Sequence, residues 1–213
     1  EDDVRHVVLK GKFNIEKPSS WNNEELFRFA QALRKATKPM IIAANKIDTF
    51  RGPENFAKVK EEFDYPIVPC FSDGELALRE ADKHGVIDYI PGEKSFEIKK
   101  ELGEKQKNAL NAIQKVMDEF GSTGIQEVLN KVVFDVLQYI CIYPAGAKLS
   151  DSKGNVLPDC FLMKKGSTAL DFAFKLHTDI GRDFVKAIDI RTKQAVGKDY
   201  VLKHCDGLEI LTK

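Results

Sequence analysis

The chain has 213 residues and a mass of 24.0 kDa, room for one large domain or two small ones. With 43% hydrophobic and 31% charged residues it has enough apolar material for a core, which excludes a disordered chain. Lys plus Arg equals Asp plus Glu at 33 each, so no global field steers it towards nucleic acid or a membrane.

No uncharged stretch approaches the ~20 apolar residues that cross a bilayer, so the composition reads as a soluble, cytoplasmic protein without a membrane partner. Cys70, Cys141, Cys160 and Cys205 form no Cys-x-x-Cys pair and have no His at zinc spacing. They read as reduced thiols of an intracellular protein, with no metal site expected. The chain starts at Glu1, not Met, and is expected to be part of a longer protein.

Residues 1–21 read as polar and irregular, with a turn at Lys17-Pro18-Ser19-Ser20. From Asn22 to Lys38, the apolar residues Leu26, Phe27, Ala30, Leu33 and Ala36 recur at helical spacing. Either Ser20 or Asn22 caps this helix, Glu24 and Glu25 fill its first turn, and Pro39 ends it. Met40 to Ala44 is a short apolar run, the pattern of a strand buried on both faces. A helix over 53–63, a buried strand over Ile67–Cys70 and a helix from Glu75 to His84 follow. Helices alternating with buried strands predict an α/β layer with a parallel sheet.

Helices are predicted over Gly103–Phe120 and Ile125–Leu137, separated by Gly121-Ser122-Thr123-Gly124. Beyond Gln138 the pattern becomes strand (139–143), strand (160–163), helix (167–177), strand (184–188) and strand (208–211). That is the order of a small α+β roll. The boundary is placed near 138, dividing the chain into a leading helical segment (1–38), an α/β unit (39–137) and the roll (138–213).

The chemistry concentrates in Asn45-Lys46-Ile47-Asp48, directly after the apolar run. Ligands of open α/β sheets bind at the carboxyl ends of strands. Guanine presents a ring N–H and an exocyclic amine side by side, and the two oxygens of Asp48 match that pair; adenine has no such pair on that edge. Hydrogen bonds to a charged group contribute about 1.5–3 kcal/mol each. A wrong base would leave the carboxylate unpaired, allowing discrimination of about 10⁴-fold. Lys46 can lay its methylene stem across the base, and Asn45 can brace the loop or bond the base edge. A polar strand-to-helix turn, where Asn and Asp are common, would carry the same residues without binding anything.

Asn-Lys-x-Asp is the guanine-specificity motif of translation-factor-class GTPases. The segment Lys38–Lys46 resembles the archaeal branch of the Obg/YchF-like GTPases, as do Glu75-Leu76-Ala77-Leu78-Arg79, Ile87–Gly92 and Gly121–Val128. In the last part, Gly154–Pro158 and Phe161–Thr168 resemble the TGS domain, a ubiquitin-like β-grasp. The resemblance implies the C-terminal part of a P-loop GTPase-like parallel sheet over 39–137, followed by a TGS domain over 138–213. It also implies GTP as cofactor and a ribosome or RNA partner for the TGS domain.

The family's next guanine loop reads Thr-Ser-Ala ahead of Glu-Leu. Counting back from Glu75-Leu76 puts Phe71 on the Ser position, and a shift of one puts Ser72 there, so Ser72 is the fourth site candidate. Its contact would be a backbone N–H to the base carbonyl. Asp48, rather than the Glu of ATP-preferring relatives, favours GTP.

No Gly-x-x-x-x-Gly-Lys-Ser/Thr occurs in these residues; neither Gly11-Lys12 nor Gly197-Lys198 has the upstream Gly or the following hydroxyl. Asp48 is followed by Thr49-Phe50-Arg51, so it does not open an Asp-x-x-Gly switch segment. Phosphates and Mg²⁺ are therefore expected to be held outside this chain, and no catalytic residue and no hydrolysis are assigned to it alone. The alternative reading is an RNA- or ribosome-binding module that binds no nucleotide by itself. Lys164, Lys165, Lys175, Arg182, Lys186, Arg191 and Lys193 suit phosphate contact, but Asp171, Asp179, Asp183 and Asp189 interleave with them as on a solvated face. His177, in an apolar helix, is expected to be packed or half-buried rather than a ligand. His204-Cys205, as neighbours on a strand, would point to opposite faces. Phe13 and Trp21 read as core or docking aromatics.

Overall fold

The computed structural model describes residues 4, 7, 10, 11, 13, 14, 17–146, 154–156 and 159–213, and the chain divides into two compact units between Val132 and Val133. Gly154-Asn155-Val156 of the TGS-like segment falls within them, but Leu157 and Pro158 lie outside the described residues.

In the first unit, helix α1 (Asn23–Thr37) starts at Asn22, whose side chain accepts the Glu25 N–H while Glu25 reaches back to the Asn22 N–H. Asn22, not Ser20, is the cap. Strand β1 (Ile42–Asn45) pairs in parallel with β2 (Ile67–Cys70) through the crossover helix α2 (Gly52–Glu62), in a register running from Ile42 opposite Ile67 to Asn45 opposite Cys70. Helix α3 (Ser72–Lys83) follows, then the short antiparallel pair β3 (Ile87–Asp88) and β4 (Glu97–Ile98), α4 (Glu104–Phe120) and α5 (Ile125–Asn130), which runs into a π-helical turn at Lys131–Val136. The core of this unit is Leu78, Ile87, Tyr89, Leu110, Ile113 and Met117. Each apolar side chain removed from water contributes about 1.5–3 kcal/mol.

Two expectations are corrected here. Strand β1 is not buried on both faces: Ile42 and Ala44 are half-buried, but Ala43 and Asn45 are exposed. Among the described residues its sheet has two strands, and α1 buries none of its own residues. Nor is the first segment irregular throughout, because Val4, Val7, Lys10 and Gly11 have helical backbone. Phe13, Trp21 and Phe29 form an aromatic cluster with centroids 5.0–5.4 Å apart.

The second unit is a five-stranded sheet of order β6-β5-β9-β7-β8: β5 (Tyr139–Pro144), β6 (Phe161–Lys164), β7 (Phe184–Asp189), β8 (Ala195–Val196) and β9 (Asp206–Thr212). Central β5 and β9 are parallel, and each carries an antiparallel neighbour. Helix α6 (Ala169–Leu176), capped by Thr168 and Asp171, places Phe172 against Ile140, Ile142, Ala187 and Leu208. One helix held against a mixed sheet with parallel central strands is the β-grasp, so both fold expectations hold: α/β first, then an α+β β-grasp. His177 is not packed within the helix. It is exposed between α6 and the short α7 (Thr178–Arg182), and its Nδ1 accepts the Asp179 N–H at 3.2 Å. His204 and Cys205 lie in the turn before β9 rather than on a strand, with Cys205 at φ 66°.

Candidate functional site

The loop leaving β1 is built around one buried side chain. Ile47 is 3% exposed and its N–H donates to the Cys70 carbonyl at 3.1 Å, fastening the loop to the end of β2. Lys46 turns the chain with a left-handed φ of 67°. Its carbonyl accepts both the Thr49 N–H at 3.2 Å and the Thr49 hydroxyl at 2.9 Å. Gly52 closes the turn: a Cβ there would lie 2.5 Å from the Lys46 carbonyl oxygen and 2.6 Å from that of Ile47, both backbone atoms that cannot yield.

Anchoring Ile47 leaves Lys46 and Asp48 facing solvent on either side of it. Neither side chain makes an ion pair or side-chain hydrogen bond to a described residue. Asn45 behaves differently. Its Oδ1 accepts the Ser72 N–H at 3.1 Å and the Ser72 hydroxyl at 3.0 Å. A backbone N–H can only donate, so the amide oxygen must face Ser72. Asn45 therefore braces the second loop against the first. With the Ser72 N–H engaged, the amides of Asp73 and Gly74 lie in a first helical turn that has no internal acceptor for them, and they find no acceptor among the described residues. The structure thus brings Asn45 and Ser72 into contact and leaves Lys46 and Asp48 free beside them.

Glu75 is a supporting residue that the motif did not reveal. It is 4% exposed; Oε1 accepts Arg79 Nε at 2.6 Å, and Oε2 accepts the Tyr89 hydroxyl at 2.8 Å and the Thr123 hydroxyl at 2.5 Å. Burial pushes its carboxyl upward, but the hydrogen bonds from Thr123, Arg79 and Tyr89 outweigh burial and hold it below the ordinary value. Tyr89 is raised by burial and by that same carboxylate. The Thr123 carbonyl in turn accepts the Phe71 N–H at 2.8 Å. Gly124 passes so close to β2 that a Cβ would meet the Pro69 carbonyl oxygen at 1.9 Å. Gly121–Gly124 is therefore more than a break between helices; it fixes the start of the second loop. The available signal was Glu75 lying three residues before Leu78, on a face otherwise bound for the core.

A cavity of about 490 Å³ in this unit lies elsewhere, along α1. There Lys35 pairs with Asp64 at 3.0 Å, Arg28 lies over the Phe13 ring, and Arg34 reaches the Met40 sulfur at 3.4 Å.

In the second unit three carboxylates are committed to the backbone. Asp171 accepts the Thr168 N–H at 2.7 Å, Asp189 the Arg191 N–H at 2.8 Å, and Asp206 the Lys203 N–H at 2.8 Å. Asp189 feels burial raising it, yet the N–H groups of Arg191 and Thr192 hold it below the ordinary value. Among the described residues Lys164, Lys165, Lys175, Arg182, Lys186 and Lys203 make no ion pair. The interleaved acids do not neutralise these cations.

Residues 43–146 match the family model described as Obg-like GTPase YGR210-like, G4 motif-containing domain, and residues 140–212 match the TGS domain. An uncharacterized GTP-binding protein of Methanocaldococcus jannaschii is 43% identical over 217 residues, covering 100% of this chain and 54% of that protein. The crystal structure of a GTP binding protein from Pyrococcus horikoshii OT3 superposes with a TM-score of 0.72 at 41% identity, over 100% of this chain and 56% of that one. The chain spans about half the length of these relatives. A two-strand parallel layer carrying Asn-Lys-x-Asp, followed by a β-grasp, agrees with these matches: the chain carries a G4 motif-containing domain of the Obg-like GTPase YGR210-like type ahead of a TGS domain.

Proposed function

We propose that the first unit reads the guanine of GTP and that the second contacts RNA or the ribosome, in a cytoplasmic protein. The Asp48 carboxylate takes the ring N–H and exocyclic amine of the base, and Lys46 covers the base with its methylene stem. Asn45 holds Ser72 in place. Ser72 itself acts as a brace, and the base carbonyl is met by the open amides that follow it. The observation that carries this reading is an exposed, uncommitted carboxylate held by a buried anchor at the end of a parallel strand. The donor set fits a guanine base and offers nothing for phosphates, because these residues contain no Gly-x-x-x-x-Gly-Lys-Ser/Thr. Phosphate and Mg²⁺ binding, and any hydrolysis, are not assigned to these residues. Charges left unpaired by neighbouring carboxylates favour the RNA or ribosome contact of the second unit.

The test is amide chemical-shift mapping on the isotopically labelled chain with millimolar guanosine monophosphate. Shifts should cluster at 45–48 and 72–74, and adenosine monophosphate should produce none there. Asp48→Asn should abolish the guanine response and admit xanthosine monophosphate, whose extra carbonyl accepts from the new amide. Equal shifts with both purines, or an unaltered guanine response in Asp48→Asn, would refute the assignment.

A further inference from the structure

A cavity of about 560 Å³ opens in the second unit between the π-helical turn, the start of β5 and the turn before β9. Phe134, Tyr139, Lys165, Lys203 and His204 line it. We propose that it binds one nucleotide of an unpaired RNA strand, with the base against the aromatic rings and the phosphate on Lys165 and Lys203. This deepens the reading of the second unit as an RNA-contacting module and rests on it.

Lys165 and Lys203 arrive from different elements and have no ion pair among the described residues. Two unpaired cations converging on one hollow are an anion site. Their backbones are fixed: the Lys165 N–H donates to the Gln138 carbonyl at 2.9 Å, and the Lys203 N–H donates to Asp206 at 2.8 Å. Asp206 is itself 8% exposed and also accepts the Tyr200 hydroxyl at 3.1 Å. His204 is oriented too. Its Nδ1 accepts the Cys141 N–H at 3.2 Å, so the neutral ring carries its proton on Nε2, a donor left over for a ligand. Phe134 packs edge-on to that ring, with centroids 5.0 Å apart and planes at 72°. Gln138 holds the wall in a left-handed conformation at φ 55°.

The volume is within the roughly 300–1,000 Å³ of small-ligand pockets. Aromatic rings beside cations are the means by which proteins hold unpaired bases, which stack on side chains while phosphates meet Lys and Arg. A stacked duplex offers no such base. Asp135, the carboxylate on the lining, is exposed and makes no ion pair among the described residues, so it can accept from an exocyclic amine.

The experiment is fluorescence anisotropy of the 213-residue chain with a labelled single-stranded RNA hexamer, the same sequence as a duplex, and adenosine monophosphate as competitor. The single strand should bind more tightly than the duplex. Lys165→Ala with Lys203→Ala should weaken it about ten-fold or more and flatten the salt slope by about 0.7, the value for one phosphate contact. Phe134→Leu should weaken it about five-fold or more, and Phe134→Tyr should restore binding because the ring returns. Displacement by the mononucleotide at matching concentration would support the same site with a free nucleotide as its source. Strand binding unchanged by the double lysine variant would overturn the cavity and leave RNA contact standing. No strand binding at all would overturn both.

Discussion

Replacing Thr123 with Val keeps the shape of the side chain and removes one of three donors to a buried carboxylate. The hydroxyl lost lies 2.5 Å from Glu75 Oε2, and Glu75 is only 4% exposed, so water cannot replace it freely. A hydrogen bond to a charged group contributes about 1.5–3 kcal/mol, and the variant should lose that much at neutral pH. Arg79 compensates poorly, because its side chain is 47% exposed and its charge is screened. The loss should also depend on pH. The Glu75 carboxyl is held below its ordinary value, against burial, by Thr123, Arg79 and Tyr89. A depressed folded pKa contributes stability that is fully present above the unfolded value of about 4.3 and disappears as pH falls through the folded one. The gap between wild type and Thr123→Val should therefore be widest near pH 7 and narrow towards pH 3. Urea unfolding followed by the fluorescence of Trp21, the only tryptophan in the chain, reads the first unit. A loss below about 0.5 kcal/mol, smaller than an ordinary hydrogen bond, or one of equal size at both pH values, would refute the network as the anchor of the second loop.

Three further outcomes are expected. Gly52→Ala should cost about 1–3 kcal/mol by overpacking the Lys46 and Ile47 carbonyls, and amide spectra should locate the disturbance at 46–48. Cys70 is pushed up to about 11 by burial, with Glu127 adding to the shift, so iodoacetamide at pH 8 should label exposed Cys160 well before Cys70; mass spectrometry of tryptic peptides gives the order. Phe172→Ala empties a fully buried position in the β-grasp core and should cost about 3–5 kcal/mol, measured by thermal unfolding followed by circular dichroism.

The parts of the fold that were legible in sequence are those with long local patterns. The 3.6-residue spacing through Leu110, Ile113 and Met117 gives α4, and the Asn22 and Glu25 pair gives the start of α1. Two-residue strands such as β3, β4 and β8 have no period to read, and their existence depends on pairing. The helical spacing of α1 was visible, but its burial was not. An amphipathic pattern shows which face is apolar and does not show what covers it, and Leu26 and Phe27 remain 47% and 64% exposed. The pattern misleads at His177 for a related reason: its neighbours are apolar, but the helix ends there and leaves its ring exposed. Within the candidate site, Asn45, Lys46 and Asp48 were legible because they are adjacent in sequence. The contact between Asn45 and Ser72 spans 27 residues and that between Glu75 and Thr123 spans 48, distances at which only the fold brings side chains together.

Committed and uncommitted polar groups separate scaffold from ligand-facing surface in both units. Asn45, Glu75 and Asp206 each take two or more donors from the protein and hold loops in place. Holding a loop does not require a group to be left free. Asp48 in the first unit, and Lys165 and Lys203 in the second, sit on loops fixed in this way and make no ion pair with the described residues. A charge on a mobile segment would lose entropy on meeting a ligand, whereas one on a braced loop has already lost it in folding. Removing a brace and removing a free charge should therefore leave different signatures. Asn45→Ala should lower stability and weaken guanine binding together, because Ser72 loses its acceptor. Asp48→Asn should leave stability within about 0.5 kcal/mol, as for exposed surface positions, and change only which purine is bound. If Asp48→Asn destabilised the fold as much as Asn45→Ala does, Asp48 would be part of the scaffold, and the distinction drawn from its free carboxylate would be lost.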